Sequence, residues 1–383
     1  MTSPPRDSLP QPGHSIRGRG ARGNLPGRFE RRTIELDEGI AETAPRPDTE
    51  LIAERSKTII SRNQSPDIGF SQSINPYKGC EHGCIYCFAR PTHAYLDLSP
   101  GLDFETRIVH KPNAAELLRK ELAKPGYVCS PIALGINTDG YQPFEKQLCI
   151  TRSLLEILLE TRHPVTIVTK SALVERDLDL LGELARLGLT QVALSITTLD
   201  DELKRRMEPR TASPRRRLAT IERLAEAGVP AGVMFAPVIP ALNDHELEAV
   251  LEAAAEAGAL WAGYTVLRLP NEVRPLFKDW LAEQYPLRAG HVMSRVRQIR
   301  GGKENDSAFG RRKRGQGLYA DLLRQRFNRA CRRHGLNRGT FGTRPPLDTT
   351  LFRPPPPPQA APPRRSRKRA TAAERRDQLS LLD

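Results

Sequence analysis

Three of the six cysteines in this 383-residue chain, Cys80, Cys84 and Cys87, fall within eight residues, in the segment 73–93 (SINPYKGCEHGCIYCFARPTH). Clustered thiols in a chain that lacks secretory features point to metal or redox chemistry, whereas scattered ones such as Cys129, Cys149 and Cys331 are usually small buried hydrophobes. On a regular helix this C-x3-C-x2-C spacing would string the sulfurs along roughly 10 Å of axis. Convergence on one centre therefore requires a wrapping loop, which Gly79 and Gly83 permit. Two chemistries suit such a loop. Zinc needs a fourth ligand to close its tetrahedron, and His82 or His93 could supply it. A four-iron cluster takes one thiolate per iron, so three cysteines leave one iron open, which is useful only if a substrate or cofactor fills it.

Something has to hold the loop. From about residue 56 to 300 short apolar runs alternate with amphipathic stretches. Candidate strands are 127–136, 164–170, 191–197, 232–238 and 262–269. Each is apolar at consecutive positions, as strands covered on both faces are. Candidate helices are 114–122, 152–161, 177–187, 215–227 and 244–257, the last with Asn243 or Asp244 available as a cap. Repeated units of this kind predict a parallel α/β fold, either an open sheet or a full or partial barrel, with chemistry at the C-terminal strand ends. Those ends carry 137–145 (NTDGYQPFE), Thr169 to Ser171, Thr197-Thr198, 240–243 and Arg268.

The cysteine spacing, with Tyr86 immediately before the third cysteine, resembles the signature of the radical S-adenosylmethionine superfamily. The phrases INPYKGCEHGCIYCFARPTH, GINTDGYQPFE, VTKSALVERDLDLL, SITTLD and PVIPALND are similar to a bacterial branch related to spore photoproduct lyase, over roughly residues 61–269. The resemblance implies a partial (β/α)6-type parallel barrel and a [4Fe-4S] cluster on Cys80, Cys84 and Cys87. It also implies S-adenosyl-L-methionine on the open iron, cleaved by one electron from a separate donor to a deoxyadenosyl radical that abstracts hydrogen. Carried over position by position, it places Tyr86 beside the cluster and Thr138 and Asp139 at the methionine amino group. Ser195 and Thr197 then face the ribose or carboxylate, Lys170 meets the carboxylate or a phosphate, and the segment ending at Asn243 cradles adenine. In this reading His82 and His93 stand outside the ligand set, as second-shell or solvent-facing groups. The branch's hydrogen-donating cysteine falls near Asn137, which has no sulfur, a departure that counts against photoproduct reversal itself.

The net charge of +14 is unevenly spread: residues 1–32 carry +5, 33–300 carry −4, 301–376 carry +15 and 377–383 carry −2. An acidic body with basic ends suits a polyanionic partner. The organisation expected is a disordered basic extension over 1–50, a core over 56–300, a basic helical region over 301–336 and a disordered Pro/Arg-rich tail over 337–383. In the basic region Arg324, Arg329 and Arg332 are expected to face a phosphate backbone while Leu322, Leu323, Phe327 and Ala330 pack inward. Gln378, Leu379, Ser380, Leu381 and Leu382 resemble the short peptide by which bacterial repair proteins dock on the sliding clamp. No apolar run is long enough to span a bilayer and no secretory signal is visible, so the expected compartment is the cytoplasm. Three functions compete: a radical enzyme acting on nucleic acid, the same chemistry on a peptide or metabolite, and a non-catalytic iron–sulfur or zinc protein that binds nucleic acid.

Overall fold

The computed structural model describes residues 16, 18–29, 48–338 and 346–356. Ten strands occur in this order: β1 (Glu50–Ala53), β2 (Ile60–Arg62), β3 (Gln72–Ile74), β4 (Tyr77–Lys78), β5 (Arg107–His110), β6 (Ile132–Leu134), β7 (Val165–Thr169), β8 (Thr190–Ser195), β9 (Ala231–Val238) and β10 (Trp261–Val266). The main sheet runs β10-β9-β8-β7-β6-β3-β2. All its pairings are parallel except β2 with β3, so six parallel strands form an open, unclosed barrel of the expected kind. A small second sheet, β1-β5-β4, stands beside it.

The longer helices are α1 (Ala114–Leu122), α2 (Ile150–Glu160), α3 (Leu178–Arg186), α4 (Asp201–Met207), α5 (Pro214–Glu226), α6 (Leu247–Glu256), α7 (Val273–Gln284), α8 (Pro286–Ile299) and α9 (Leu318–His334). Their starts follow local chemistry. Ser213 accepts from the Arg216 amide at 3.2 Å with Pro214 in the first turn, and Asp200 accepts from the Glu202 and Leu203 amides. Leu154 and Leu158 of α2, Leu181 and Leu184 of α3, and Val250 and Leu251 of α6 join sheet residues such as Ile167, Val192 and Phe235 in one core.

Several boundaries depart from the sequence reading. The strand expected over 127–136 is ordered as a strand only from Ile132, because Pro131 brings no amide hydrogen to a ladder and Val128 is exposed. Within 244–257 a 3-10 turn over Asp244–Glu246 precedes the helix, and Asn243 makes no cap hydrogen bond. In α9, Leu323, Phe327 and Ala330 are buried as expected, but Leu322 is half exposed.

Parts of both extensions are docked rather than disordered. The Gly20 and Ala21 amides donate to the buried Glu105 carboxylate at 2.9 and 2.8 Å. Near the other end the Arg353 amide donates to the Thr161 carbonyl at 2.8 Å, and Phe352 packs on Tyr127 and His163. The clamp-like peptide, Gln378 to Leu382, lies outside the described residues. Among the described residues no helix is long and apolar enough to cross a membrane.

Candidate active site

The cysteine segment leaves the sheet after β3 and β4 as a series of turns, with Gly79 and Gly83 at φ +81° and +68°, a backbone that residues with a Cβ rarely adopt. Buried polar groups hold its shape. Arg90, fully buried, donates from Nε to the Cys84 carbonyl at 3.0 Å and from Nη1 to Gly101 at 2.8 Å, and pairs with Glu105. The Cys80 amide donates to the Phe104 carbonyl, and the Glu81 amide to Gln142 Oε1. Buried hydrogen-bonded ions at Arg90 and Glu105 fix a loop that has no regular ladder of its own.

This loop closes one wall of a cavity of about 240 Å³ at the C-terminal ends of the parallel strands. Cys80, Cys84 and Cys87 line it together, with Tyr86 and Phe88 from the same loop. The opposite wall is built by strand ends: Asn137, Thr138 and Asp139 after β6, Lys170 after β7, Ser195 of β8, Ala236 and Pro237 of β9, and Arg268 beyond β10. Burial pushes all three cysteine thiols above their ordinary range, and for Cys80 the neighbouring Asp139, Cys84 and Cys87 add to it. Thiols so placed ionise when a bound cation compensates them. Among the described residues no three His, Cys, Asp or Glu side chains converge tightly enough for a single metal ion. Three thiols spread over one wall suit a cluster that takes one thiolate per iron, and fit a mononuclear zinc site poorly.

Lys170 is the best-placed cation. Its Nζ donates to Ser195 Oγ at 2.6 Å and Thr197 Oγ1 at 3.2 Å, and lies 3.1 Å from Glu208. Glu208 is fully buried and also receives Tyr86 Oη, Thr197 Oγ1 and the buried Arg217 guanidinium. Burial works to raise its pKa, but Arg217 and Lys170 outweigh that and hold the carboxyl well below the usual carboxylate range. Burial, reinforced by Glu208 and Cys84, pushes the Tyr86 phenol up. Sequence reasoning missed Glu208, Arg217, Arg90 and Glu105, since each reads locally as one more charge in a polar stretch.

Of the expected cofactor residues, Tyr86, Thr138, Asp139, Lys170 and Ser195 meet at the cavity, whereas Thr197 and Asn243 do not line it. Thr197 is fully buried beneath it. The Asn243 carboxamide accepts from the Ile239 amide at 2.6 Å and donates to the Thr197 and Pro237 carbonyls, bracing the β8 and β9 loops against each other. Thr138 donates to the Tyr77 carbonyl at 2.9 Å. Asp139 accepts from the Tyr141 and Lys170 amides and from Thr169 Oγ1, with His82 Nδ1 at 3.3 Å. These contacts occupy its acceptor positions, so Asp139 ties the β6 and β7 ends together instead of offering a free carboxylate. Burial acts to raise its pKa, but His82 and the two amides hold it below the ordinary value. His82 and His93 are both buried, which rules out the solvent-facing alternative; His93 lies off the cavity, 3.1 Å from the Arg107 carbonyl. No thiol other than the three loop cysteines lines the cavity among the described residues, so Asn137 has no cysteine neighbour to act as hydrogen donor.

The family model described as the radical SAM superfamily matches residues 74–254. An uncharacterized protein of Mycobacterium tuberculosis is 40% identical over 232 residues, covering 60% of this chain and 67% of that one. An uncharacterized protein of Methanocaldococcus jannaschii is 28% identical over 237 residues, covering 62% and 84%. Among solved structures, a mutant of spore photoproduct lyase superposes with TM-score 0.57 at 17% identity, covering 81% of this chain and 87% of that one. Another, with bound AdoMet and dinucleoside spore photoproduct, gives 0.54 at 17% identity over the same shares. At such identity the likeness is one of fold.

Proposed function

This chain belongs to the radical S-adenosylmethionine superfamily, whose members use a [4Fe-4S] cluster and S-adenosylmethionine, and on that premise we propose that it is an enzyme acting on nucleic acid, in a role akin to DNA repair. Cys80, Cys84 and Cys87 would hold the cluster, whose chemistry when loaded is one-electron cleavage of S-adenosylmethionine to methionine and a 5′-deoxyadenosyl radical. The chain's own residues do the rest. Lys170 and Ser195 offer a cation and a hydroxyl to a carboxylate at the cavity wall, with Glu208 and Arg217 fixing Lys170 from below. Asp139 and Asn243 keep the strand ends in register. The mostly apolar walls formed by Ile136, Val168, Met234 and Val266 exclude water from a reactive centre.

One observation carries the substrate class. A basic turn, Arg311–Arg314, packs against β10, the strand that leads to Arg268 at the cavity, and a basic turn beside a cavity-lining arginine supports a polyanionic substrate. Support of a weaker kind comes from the fold, shared with a protein solved with a dinucleoside photoproduct. A separate electron donor, and clamp docking through 378–382, complete the reading.

The test is anaerobic reconstitution with iron and sulfide, then reduction in the presence of S-adenosylmethionine. Wild type should form 5′-deoxyadenosine, Cys84→Ala should not, and ultraviolet-irradiated DNA oligonucleotides should raise the wild-type rate. A rate indifferent to DNA and RNA but raised by peptides would replace nucleic acid as the substrate class.

A further inference from the structure

Arg300 is 1% exposed, although a guanidinium that deep normally has a carboxylate partner. It has carbonyls instead. Its Nη2 donates to Val266 at 3.2 Å and Leu267 at 2.5 Å, and its Nη1 to Arg311 at 3.0 Å and Arg312 at 2.9 Å. One buried side chain thus staples the turn 311–314 onto the end of β10. Arg312 is further fixed by an ion pair with Asp67, whose carboxylate also accepts from the Gly310 amide.

Two cations beside this staple, Arg268 and Lys313, have no ion-pair partner among the described residues, and they are near enough for the charge of Arg268 to bear on Lys313. Arg268 lines the cavity, and its buried Nε has no hydrogen-bond partner among the described residues. Its guanidinium lies 5.3 Å from the ring centroid of Phe88, a half-exposed aromatic on the cysteine loop. Lys313 is partly buried on the stapled turn, and no ion pair or hydrogen bond joins it to a described residue. Burial lowers the pKa of both groups and Arg312 lowers both further; the Asp67 carboxylate opposes this at both, but it is already paired with Arg312 and does not outweigh the rest. A buried donor left unpaired costs free energy that a ligand oxygen would restore.

We propose that Arg268 and Lys313 form a phosphodiester subsite at the mouth of the cavity, with Phe88 beside it to stack the adjoining base. This deepens the nucleic-acid reading and rests on it. The fork of Arg268 can grip a phosphate oxygen through the unpaired Nε, Lys313 adds a second charge, and an arginine-backed aromatic suits an unpaired base better than it suits an extended peptide. The register follows: a nucleotide whose phosphate sits here has its base or sugar directed towards the cysteine wall.

The experiment measures fluorescence anisotropy of a labelled single-stranded 12-mer on the reconstituted full-length protein, from 50 to 200 mM salt. Arg268→Ala with Lys313→Ala should weaken binding about 10- to 100-fold and flatten the salt dependence by about 1.4 in the log–log slope, as losing two single-strand phosphate contacts would. Wild type should bind a fully methylphosphonate 12-mer at least as poorly as the double variant binds the natural one, since a neutral backbone removes every phosphate contact and the variant removes two. Arg186→Ala, an exposed cation on α3, should change affinity less than about twofold. Circular dichroism and cluster absorbance confirm that each variant is folded and loaded, and Lys313→Arg should keep the affinity that Lys313→Ala loses. Tight wild-type binding that the double variant retains would overturn the subsite alone. No wild-type affinity for the 12-mer at 50 mM salt would overturn both the subsite and the nucleic-acid reading.

Discussion

Glu208→Gln is the most demanding test of how the site is supported. Glu208 is the counter-ion for two cations, Arg217 at 1% side-chain exposure and Lys170 at 15%, and it accepts from Tyr86 and Thr197 as well. Glutamine keeps the shape and removes the charge. At an effective dielectric of about 20, the Lys170 contact at 3.1 Å is worth about 5 kcal/mol of attraction, most of it offset by the cost of desolvating both ions. What the variant loses is that compensation: Arg217 remains buried and charged with no carboxylate, and breaking a buried pair in this way costs about 3–5 kcal/mol. At about 2 °C per kcal/mol for a large domain, Tm should fall by about 6–10 °C. Thermal melting by circular dichroism on the cluster-free protein measures this without involving activity. A second arm, Glu208→Gln with Arg217→Met, also removes the more deeply buried of the two cations and should recover more than half of the loss, because only Lys170, at 15% side-chain exposure, is then left without its carboxylate. A Glu208→Gln protein melting within about 2 °C of wild type would refute the counter-ion argument, and so would a double variant no better than the single.

Gly20→Ala should free the N-terminal strap. A Cβ there would meet the Gly83 carbonyl oxygen at 1.8 Å, between Cys80 and Cys84, whereas at Gly23 nothing lies within 4 Å. Trypsin should therefore cut within residues 18–29 several-fold faster in Gly20→Ala than in Gly23→Ala; equal rates would show that the strap is not held there. His163 supplies a pH test. Burial between Tyr127 and Phe352 lowers its pKa to about 4, below the unfolded value of about 6.5. The unfolded chain thus binds more protons between these values, so stability is full above about 6.5 and falls by about 3 kcal/mol as pH drops to 4. His163→Phe should remove that component from denaturant melts across the window, and identical slopes for variant and wild type would refute it.

The sequence alone determined that three thiols would lie together. Cys80, Cys84 and Cys87 fall within eight residues, with glycines at 79 and 83, so their closeness carries into any fold, and all three line one cavity. The parallel strands were legible for a related reason. A strand buried on both faces, such as β8, carries apolar residues at consecutive positions, here Val192, Ala193 and Leu194, and helices packed on it must show a helical period. Strands of two to four residues, such as β3 and β4, are too short to leave a pattern. Only tertiary structure decided which charged residues serve the site. Glu208 and Tyr86 are 122 positions apart, and nothing near either in the chain announces their contact. Asp139 reads as a free carboxylate until the fold fills its acceptor positions, and Arg300 as a surface charge until the fold buries it against four carbonyls. The cost of burying a charge depends on what surrounds it in space, and neighbours along the chain do not contain that information.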